Sequence, residues 1–267
     1  MRVADNSQTG CGPEAPARSE RRDPLISFVI PAHNEERLIA GTLAALREAA
    51  VAVREPHEIL VVDDGSTDRT AAIAREQGAR VVTVAHRQIA ATRNAGARES
   101  HGDLLVFVDA DTRVHSALIG AALEAMRAGA VGGGCPIRFD GRVPTWARVI
   151  HPFLLWIQRT WRFAGGCFLF CTREGFTAVG GFDERLYAAE EIAMSQALKR
   201  HGRFVLLREP VRTSGRKLRT YTGRETLRVL GYLLARGSRS IESRDGLDLW
   251  YGPRREDPEP EERAAAS

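Results

Sequence analysis

Asp109 and Asp111 stand two residues apart, just past the apolar run DLLVFV at 103–108. In an extended chain successive side chains alternate sides, so an i, i+2 pair points the same way. Two carboxylates on one side of a strand's carboxyl end can hold a hard divalent cation. Ligand phosphates and water would complete its octahedral shell. The same pair also suits a solvated strand end at which Asp caps the next helix. Acidic residues recur at two more strand ends. PAHNEE follows the first apolar run and DDGSTD the second, with Asp63 and Asp64 ahead of a glycine turn. Carboxylates there can accept hydrogen bonds from a base N–H or from ribose hydroxyls, while DDGS is also a good turn and helix start on its own chemistry. Like charges gathered along one edge repel, so three such strand ends call for a counter-ion or a ligand.

The elements that must position these residues alternate. Short apolar runs at 25–31, 58–62, 80–84 and 103–108 predict buried strands. Between them, 35–50 has helical spacing, with Leu38, Thr42, Leu43 and Leu46 on one stripe. A second helix, capped by Thr67 or Asp68, ends at Gly78; others span 88–100 and 116–128, the last closed by Gly129. Repeated strand–helix–strand units predict an α/β fold: a mostly parallel sheet, right-handed crossovers and helices on both faces. Ligands of such sheets bind outside the strands' carboxyl ends. The second half is less regular. It reads as a Gly-rich strand at 130–140, an aromatic amphipathic stretch at 144–163 and an apolar run at 164–172. A helix at 189–201 with Gly202 as C-cap, a strand at 204–207, a basic loop at 212–224 and an amphipathic helix at 225–235 follow.

Composition bounds the reading. A chain of 267 residues, 43% hydrophobic, can bury the core of one large α/β domain. A net charge of +4 suits an anionic ligand such as a nucleoside diphosphate, a membrane surface or RNA. No apolar run reaches the ~18 residues that span a bilayer, and the polar N-terminal stretch has no signal core. Cys11, Cys135, Cys167 and Cys171 suggest no disulfide framework. The expected location is cytoplasmic, with peripheral membrane contact as an added reading.

Taken together, PAHNEE, VVDDGSTD, RNAGA, VDADT, VGGFDE and EEIAMSQALKRHG resemble, in order and spacing, the family 2 glycosyltransferases with the GT-A fold. The resemblance covers about residues 25–210 and suggests a short, soluble, bacterial-type member. It implies a Rossmann-like sheet with a smaller acceptor-side subregion, a nucleotide-sugar donor, Mg²⁺ or Mn²⁺, and an inverting displacement onto an unidentified hydroxyl acceptor, a lipid-linked one among the candidates. By the same resemblance, Pro31, Ala32 and Glu35 would line the nucleotide pocket, Asp64 would contact the base, and Arg93 would lie near the donor. Asp109 would face ribose or sugar and Asp111 the metal. Gly180 and Gly181 would belong to an acceptor-side loop. Glu190 and Glu191 match a Glu-Asp pair whose second member is the general base. Here that member is Glu191, with Glu190 in reserve; both also suit the first turn of a helix. The implied organisation is a disordered arm at 1–23, a nucleotide-sugar-binding half at 24–129, an acceptor-side half at 130–245 and a mostly disordered tail at 246–267.

Two features carry double readings. Arg212, Arg216, Lys217 and Arg219 in the basic loop could close over a diphosphate or form a solvated run. The aromatic stretch 144–163 could pack into the core or lie in a lipid interface. QRTWRF resembles a motif of processive members but precedes the Glu pair, so polymer synthesis is unsupported. A sugar-phosphate nucleotidyltransferase would carry a Gly-rich basic loop after the first strand, which PAHNEE lacks. A non-catalytic nucleotide-binding protein is the other alternative. With no aromatic stacking module, nucleic acid is not an expected partner.

Overall fold

The apolar runs become the middle of one sheet. The computed structural model describes residues 24–226, 228, 241–247, 251–252, 255 and 257. The expected arm at 1–23, most of the tail and most of the helix expected at 225–235 lie outside the described residues. Strands β1 (Ile26–Ala32), β2 (His57–Asp64), β3 (Arg80–Val84) and β4 (Leu104–Val108) run parallel in the order β3-β2-β1-β4. Helices α1 (Ile39–Val53), α2 (Thr70–Glu76) and α3 (Ile89–Glu99) connect them. After β4 come β5 (Thr112–Arg113), α4 (Ser116–Arg127), β6 (Gly132–Gly134), β7 (Ile137–Phe139), α5 (Thr145–Trp161), β8 (Phe168–Thr172) and α6 (Arg173–Ala178). The last described elements are α7 (Glu190–His201), β9 (Phe204–Leu206), β10 (Val211–Thr213) and α8 (Arg216–Thr220). Antiparallel β8 sits between β4 and β6, and β9 closes the seven-stranded sheet beside β6. Strands β5, β10 and β7 form a second, small sheet.

Strand alternation divides the core between the two faces. Ile26, Phe28 and Ile30 of β1 face Leu43 and Leu46 of α1 and Leu118 of α4. Val29, with Leu105 and Phe107 of β4, faces Ala90 and Ala95 of α3 and Met194 and Leu198 of α7. Burying each large apolar side chain contributes roughly 1.5–3 kcal/mol, and a one-residue slip would move each set to the opposite face, against helices shaped for the other set.

Three expectations shift. Helix α1 begins at Ile39 rather than 35, after a turn in which the Glu35 carbonyl accepts from the Leu38 and Ile39 amides at 3.0 and 2.9 Å. The Glu35 amide donates to Thr70 Oγ1 at 2.8 Å and the Glu36 amide to Asp68 Oδ2 at 3.1 Å. The single strand expected at 130–140 is two, β6 and β7, in different sheets. The glycines of β6 are there for close approach: a Cβ on Gly133 would stand 2.4 Å from the Phe170 ring and from the Val205 carbonyl.

The third shift concerns the aromatic stretch. It forms α5, which buries only Ala147 and Gln158. Val149, Phe153, Leu154, Trp156 and Trp161 are each more than half exposed, and Phe153 stacks on Trp156 at 5.8 Å. Core packing therefore does not account for this stripe. No acidic residue falls within α5, and Arg148, Arg159 and Arg162 are exposed around it.

Candidate active site

The carboxyl ends of β1, β2 and β4 open into one cavity. Pro31, Ala32, His33, Glu35, Asp64, Asp109 and Asp111 line it, together with Arg87, Gln88, Ile89 and Thr92 at the start of α3. The sequence had singled out six of these: Pro31, Ala32, Glu35, Asp64, Asp109 and Asp111. A helix start leaves backbone N–H groups unpaired and favours anions, so the α3 end suits a phosphate-bearing ligand.

The extended strand end expected at Asp109 and Asp111 is instead a tight turn: the Thr112 amide donates to the Asp109 carbonyl at 3.1 Å, Ala110 is buried between the two acids, and both acids still line the cavity. The Ala110 carbonyl accepts from Thr42 Oγ1 at 2.8 Å, and the Asp111 carbonyl from the Ser214 amide at 3.0 Å. Asp111 Oδ1 also accepts from Thr213 Oγ1 at 3.2 Å. These bonds fix the loop after β4 against β10. Two hard oxygen donors beside a helix start fit a divalent cation that shares its shell with phosphates. Among the described residues no cluster of three or more metal-binding side chains exists, so such an ion would depend on its ligand for the remaining positions.

Asp64 is already engaged. Its carboxylate accepts from the Arg87 amide at 2.8 Å, the Gln88 amide at 3.1 Å and Thr92 Oγ1 at 2.8 Å. It thereby holds the loop before α3 in place and keeps about one of its four acceptor positions for a ligand. Asp63, beside it, has a buried Oδ1 with no hydrogen-bond partner. His33 bridges the two sides of this pocket. With its proton on Nδ1, the ring donates to the Asp64 carbonyl at 2.9 Å while Nε2 accepts from Arg87 at 2.6 Å.

Glu35 meets a partner far along the chain. Arg216 Nη2 donates to both its oxygens at 2.9 Å. The basic loop thus divides. Arg216 clasps Glu35, Arg219 bonds the Asp140 carbonyl and pairs with Asp257, Arg212 is exposed on β10, and Lys217 alone of the four lines the cavity.

Behind Asp109 lies a buried charge cluster. Arg93, 3% exposed, donates to Asp109 Oδ1 at 2.9 Å, to Glu190 Oε1 at 2.8 Å and to the Gly166 carbonyl at 2.7 Å. Burial works against its charge, but Asp109 and Glu190 outweigh it, so its pKa is raised and the guanidinium stays protonated. Burial also pushes the Asp109 carboxyl up, against the pull of Arg93. The neighbouring motif residues have separate jobs. Asn94 pins the VGGFDE loop, donating to the Phe182 carbonyl and accepting from the Phe182 amide, each at 2.9 Å. Gly96 lets α3 close on the sheet, where a Cβ would stand 2.3 Å from Val29 Cγ1. Gly180 and Gly181, both with φ near 80°, line a second, separate cavity with Asn94 and Phe182.

Glu190 and Glu191 open α7 differently. Ala189 turns the chain into the helix at φ 60°, a conformation an L side chain rarely adopts. Glu190 is buried against Arg93. Glu191 has no ion pair among the described residues, and its Oε1 lies 3.2 Å from where a Cβ of Gly166 would stand. Burial and then the Glu190 charge push the Glu191 carboxyl up to about 8, with Arg93 opposing. Ser195 ties this turn to the segment before β8, donating to the Glu191 carbonyl at 2.7 Å and accepting from the Ala164 amide at 2.9 Å. Arg93, Glu190 and Glu191 therefore sit behind the cavity wall that Asp109 forms. Lys217 fits the diphosphate reading of the basic loop, whereas Gly166, Gln88 and His33 were not singled out, and only His33 stood in a motif that could have flagged it.

The sequence profile of glycosyl transferase family 2 matches residues 27–179, more than half of the chain. The chain belongs to glycosyl transferase family 2. Among curated relatives of this family 2 chain, the 4,4'-diaponeurosporenoate glycosyltransferase of Staphylococcus haemolyticus is 38% identical over 98 residues, covering 34% of this chain and 25% of that one. The undecaprenyl-phosphate 4-deoxy-4-formamido-L-arabinose transferase of Pseudomonas aeruginosa is 40% identical over 95 residues, covering 33% and 28%. The matches thus span about a quarter of those relatives' length. A solved mannosyltransferase from Pyrobaculum calidifontis, in complex with GDP-Man and Mn²⁺, superposes with a TM-score of 0.63 at 20% identity, over 78% of this chain and 61% of that one. The family 2 chain has the GT-A fold. Among the described residues no helix is long and apolar enough to cross a membrane.

Proposed function

We propose that this chain is an inverting glycosyltransferase that moves a sugar from a nucleoside-diphosphate sugar to an acceptor hydroxyl, with Mg²⁺ or Mn²⁺ bound. The observation that carries the reading is the single cavity at the strands' carboxyl ends. There Asp109, Asp111 and Lys217 meet the α3 start, and Arg93 links Asp109 to Glu190 while Glu191 has no ion pair among the described residues. In this reading Pro31, Ala32, Glu35 and Asp64 shape the nucleotide subsite, and Asp109 faces ribose or sugar. Asp111, with Asp109, would hold the cation, which when bound offsets the charge growing on the leaving diphosphate. Glu191 takes the proton from the acceptor hydroxyl. The acceptor oxygen then bonds to the anomeric carbon from the face opposite the diphosphate, whose C–O bond breaks with the electron pair leaving on the diphosphate.

A lipid-linked acceptor, reached by peripheral membrane contact, completes the proposal. Helix α5 presents an apolar, aromatic face rimmed by cations, and the chain runs from its end directly to Gly166 beside Glu191. Such a face suits an anionic lipid surface, and one relative's name makes undecaprenyl phosphate its substrate. Co-sedimentation with phosphatidylglycerol vesicles should capture the protein, and Trp156→Glu should release it. Equal recovery without vesicles would remove the membrane part.

The donor reading is tested by a thermal-shift screen of UDP-, GDP-, ADP- and TDP-sugars, each with Mn²⁺, Mg²⁺ or EDTA. A ligand at 100 times its Kd adds about 2.7 kcal/mol of stability. The expected result is a metal-dependent rise with one nucleotide. No rise with any of them, in folded protein, would overturn the reading.

A further inference from the structure

One wall of the donor cavity comes from far along the chain. Besides the strand-end residues, Arg244, Tyr251 and Gly252 line it. Described residues around them are tied to the rest of the fold. Leu247 is fully buried, the Tyr251 amide donates to the Leu247 carbonyl at 3.1 Å, and the Tyr187 amide donates to the Ile241 carbonyl at 2.6 Å.

Two groups on this wall have bonding capacity that the protein itself leaves open. The Tyr251 hydroxyl is buried without a hydrogen-bond partner; it lies near the Ile89 amide at the start of α3, but the geometry falls short of a bond. Buried hydroxyls are nearly always satisfied, so an orphan beside a cavity marks a place for a ligand's acceptor atom. Arg244 lies over the Tyr251 ring at 5.2 Å and donates to the Tyr251 carbonyl at 3.2 Å. Among the described residues it meets no carboxylate, so most of its five N–H donors are unassigned.

We propose that Arg244 and Tyr251 bind the sugar donor. The Tyr251 hydroxyl donates to an oxygen of the sugar diphosphate, and Arg244, braced on the ring, adds a positive charge beside Lys217 for the diphosphate. This rests on the cavity being a nucleoside-diphosphate-sugar site. Burial, with Glu190 nearby, raises the phenol's pKa, so the group keeps the proton it must donate. The ring of Tyr251 also packs edge-on against Tyr187 at 5.7 Å, which connects this wall to the turn leading into Glu190 and Glu191.

The test is titration calorimetry of the full chain with Mn²⁺ and, in turn, UDP, GDP, ADP, TDP and CDP, repeated with the matching monophosphates. Tyr251→Phe should weaken binding of the preferred diphosphate about three- to tenfold. It should also leave the Tm of the free protein unchanged or higher, because an orphan hydroxyl is removed. Arg244→Ala should weaken the diphosphate about tenfold or more and the monophosphate less. Wild-type affinity in both variants overturns the proposal while the donor reading stands. A Tyr251→Phe variant that loses Tm along with affinity assigns Tyr251 a structural role and overturns its part. A wild-type chain that binds none of the nucleotides overturns the donor reading and this proposal with it.

Discussion

Replacing Glu191 by Gln should make the protein more stable and less active. Glu191 holds its proton up to about pH 8 in the folded chain, against an ordinary value of 4.5. It thus binds a proton more tightly folded than unfolded. Its favourable contribution is complete below pH 4.5 and is lost as pH climbs toward 8, because deprotonation then costs more in the folded state. At pH 7 the difference is about two and a half pH units, or ~3 kcal/mol. That is a ceiling, since Glu191 is only partly buried and keeps some solvent screening. A chain of this size gains ~2–4 °C in Tm per kcal/mol, so the ceiling is about 10 °C. Gln resembles the protonated acid and removes the slope. Urea unfolding in EDTA from pH 5 to 8 should therefore show wild type and Glu191→Gln converging near pH 5 and separating toward pH 8, with Gln the more stable. Glu190→Gln should do the reverse, because it breaks a buried pair with Arg93 and costs roughly 3–5 kcal/mol. A Glu191→Gln protein that is less stable at every pH, or that transfers sugar at the wild-type rate, would refute the reasoning.

Other outcomes follow from the same cluster. Asp111→Asn should fold normally and lose the metal-dependent thermal shift with nucleotide sugar, because a neutral amide is a poor partner for a hard cation. Arg93→Met leaves Asp109 and Glu190 without their shared cation and should cost about 3–5 kcal/mol in urea unfolding. Arg93→Lys should not restore it, because an ammonium cannot replace the planar fork that reaches both carboxylates and the Gly166 carbonyl. Gly166→Ala places a methyl group 3.2 Å from Glu191 Oε1. It should cost under about 1 kcal/mol, because a side-chain tip can yield, yet lower kcat at least tenfold with little change in donor KM.

The strand-end side of the cavity was legible because its information is local. An apolar run followed by acids at a strand end specifies element, direction and chemistry within ten residues, so Asp64, Asp109 and Asp111 come to one cavity, although Asp109 and Asp111 do so through a tight turn and not through extended spacing. Gly78 and Gly129 likewise end their helices with positive φ. Gly202 is also a helix cap, but its φ of −178° is ordinary extended backbone, and what excludes a side chain is Val131 Cγ1 at 2.6 Å. The rest depends on partners more than a hundred residues apart. The sequence offers no local sign that Arg216 would clasp Glu35, that Thr213 would bond Asp111, or that Tyr251 would stand at the cavity. Helix α5 shows the limit of periodicity. Its stripe reads the same whether it is buried or bare, and only the packing distinguishes the two.

The place of β8 in the sheet has a consequence for the newborn chain. All five residues of β4, Leu104 to Val108, are buried, and among the described strands β8 alone covers the edge of β4 opposite β1. About 60 residues separate the two strands. At ~5–20 residues per second of synthesis, that edge stays open for roughly 3–12 s. A flat apolar edge with unpaired backbone groups is a template for pairing with another chain. The interval between β4 and β8 is therefore the stretch of synthesis in which crowded ribosomes would most readily lose this protein to aggregation, and in which a chaperone would do most for its yield.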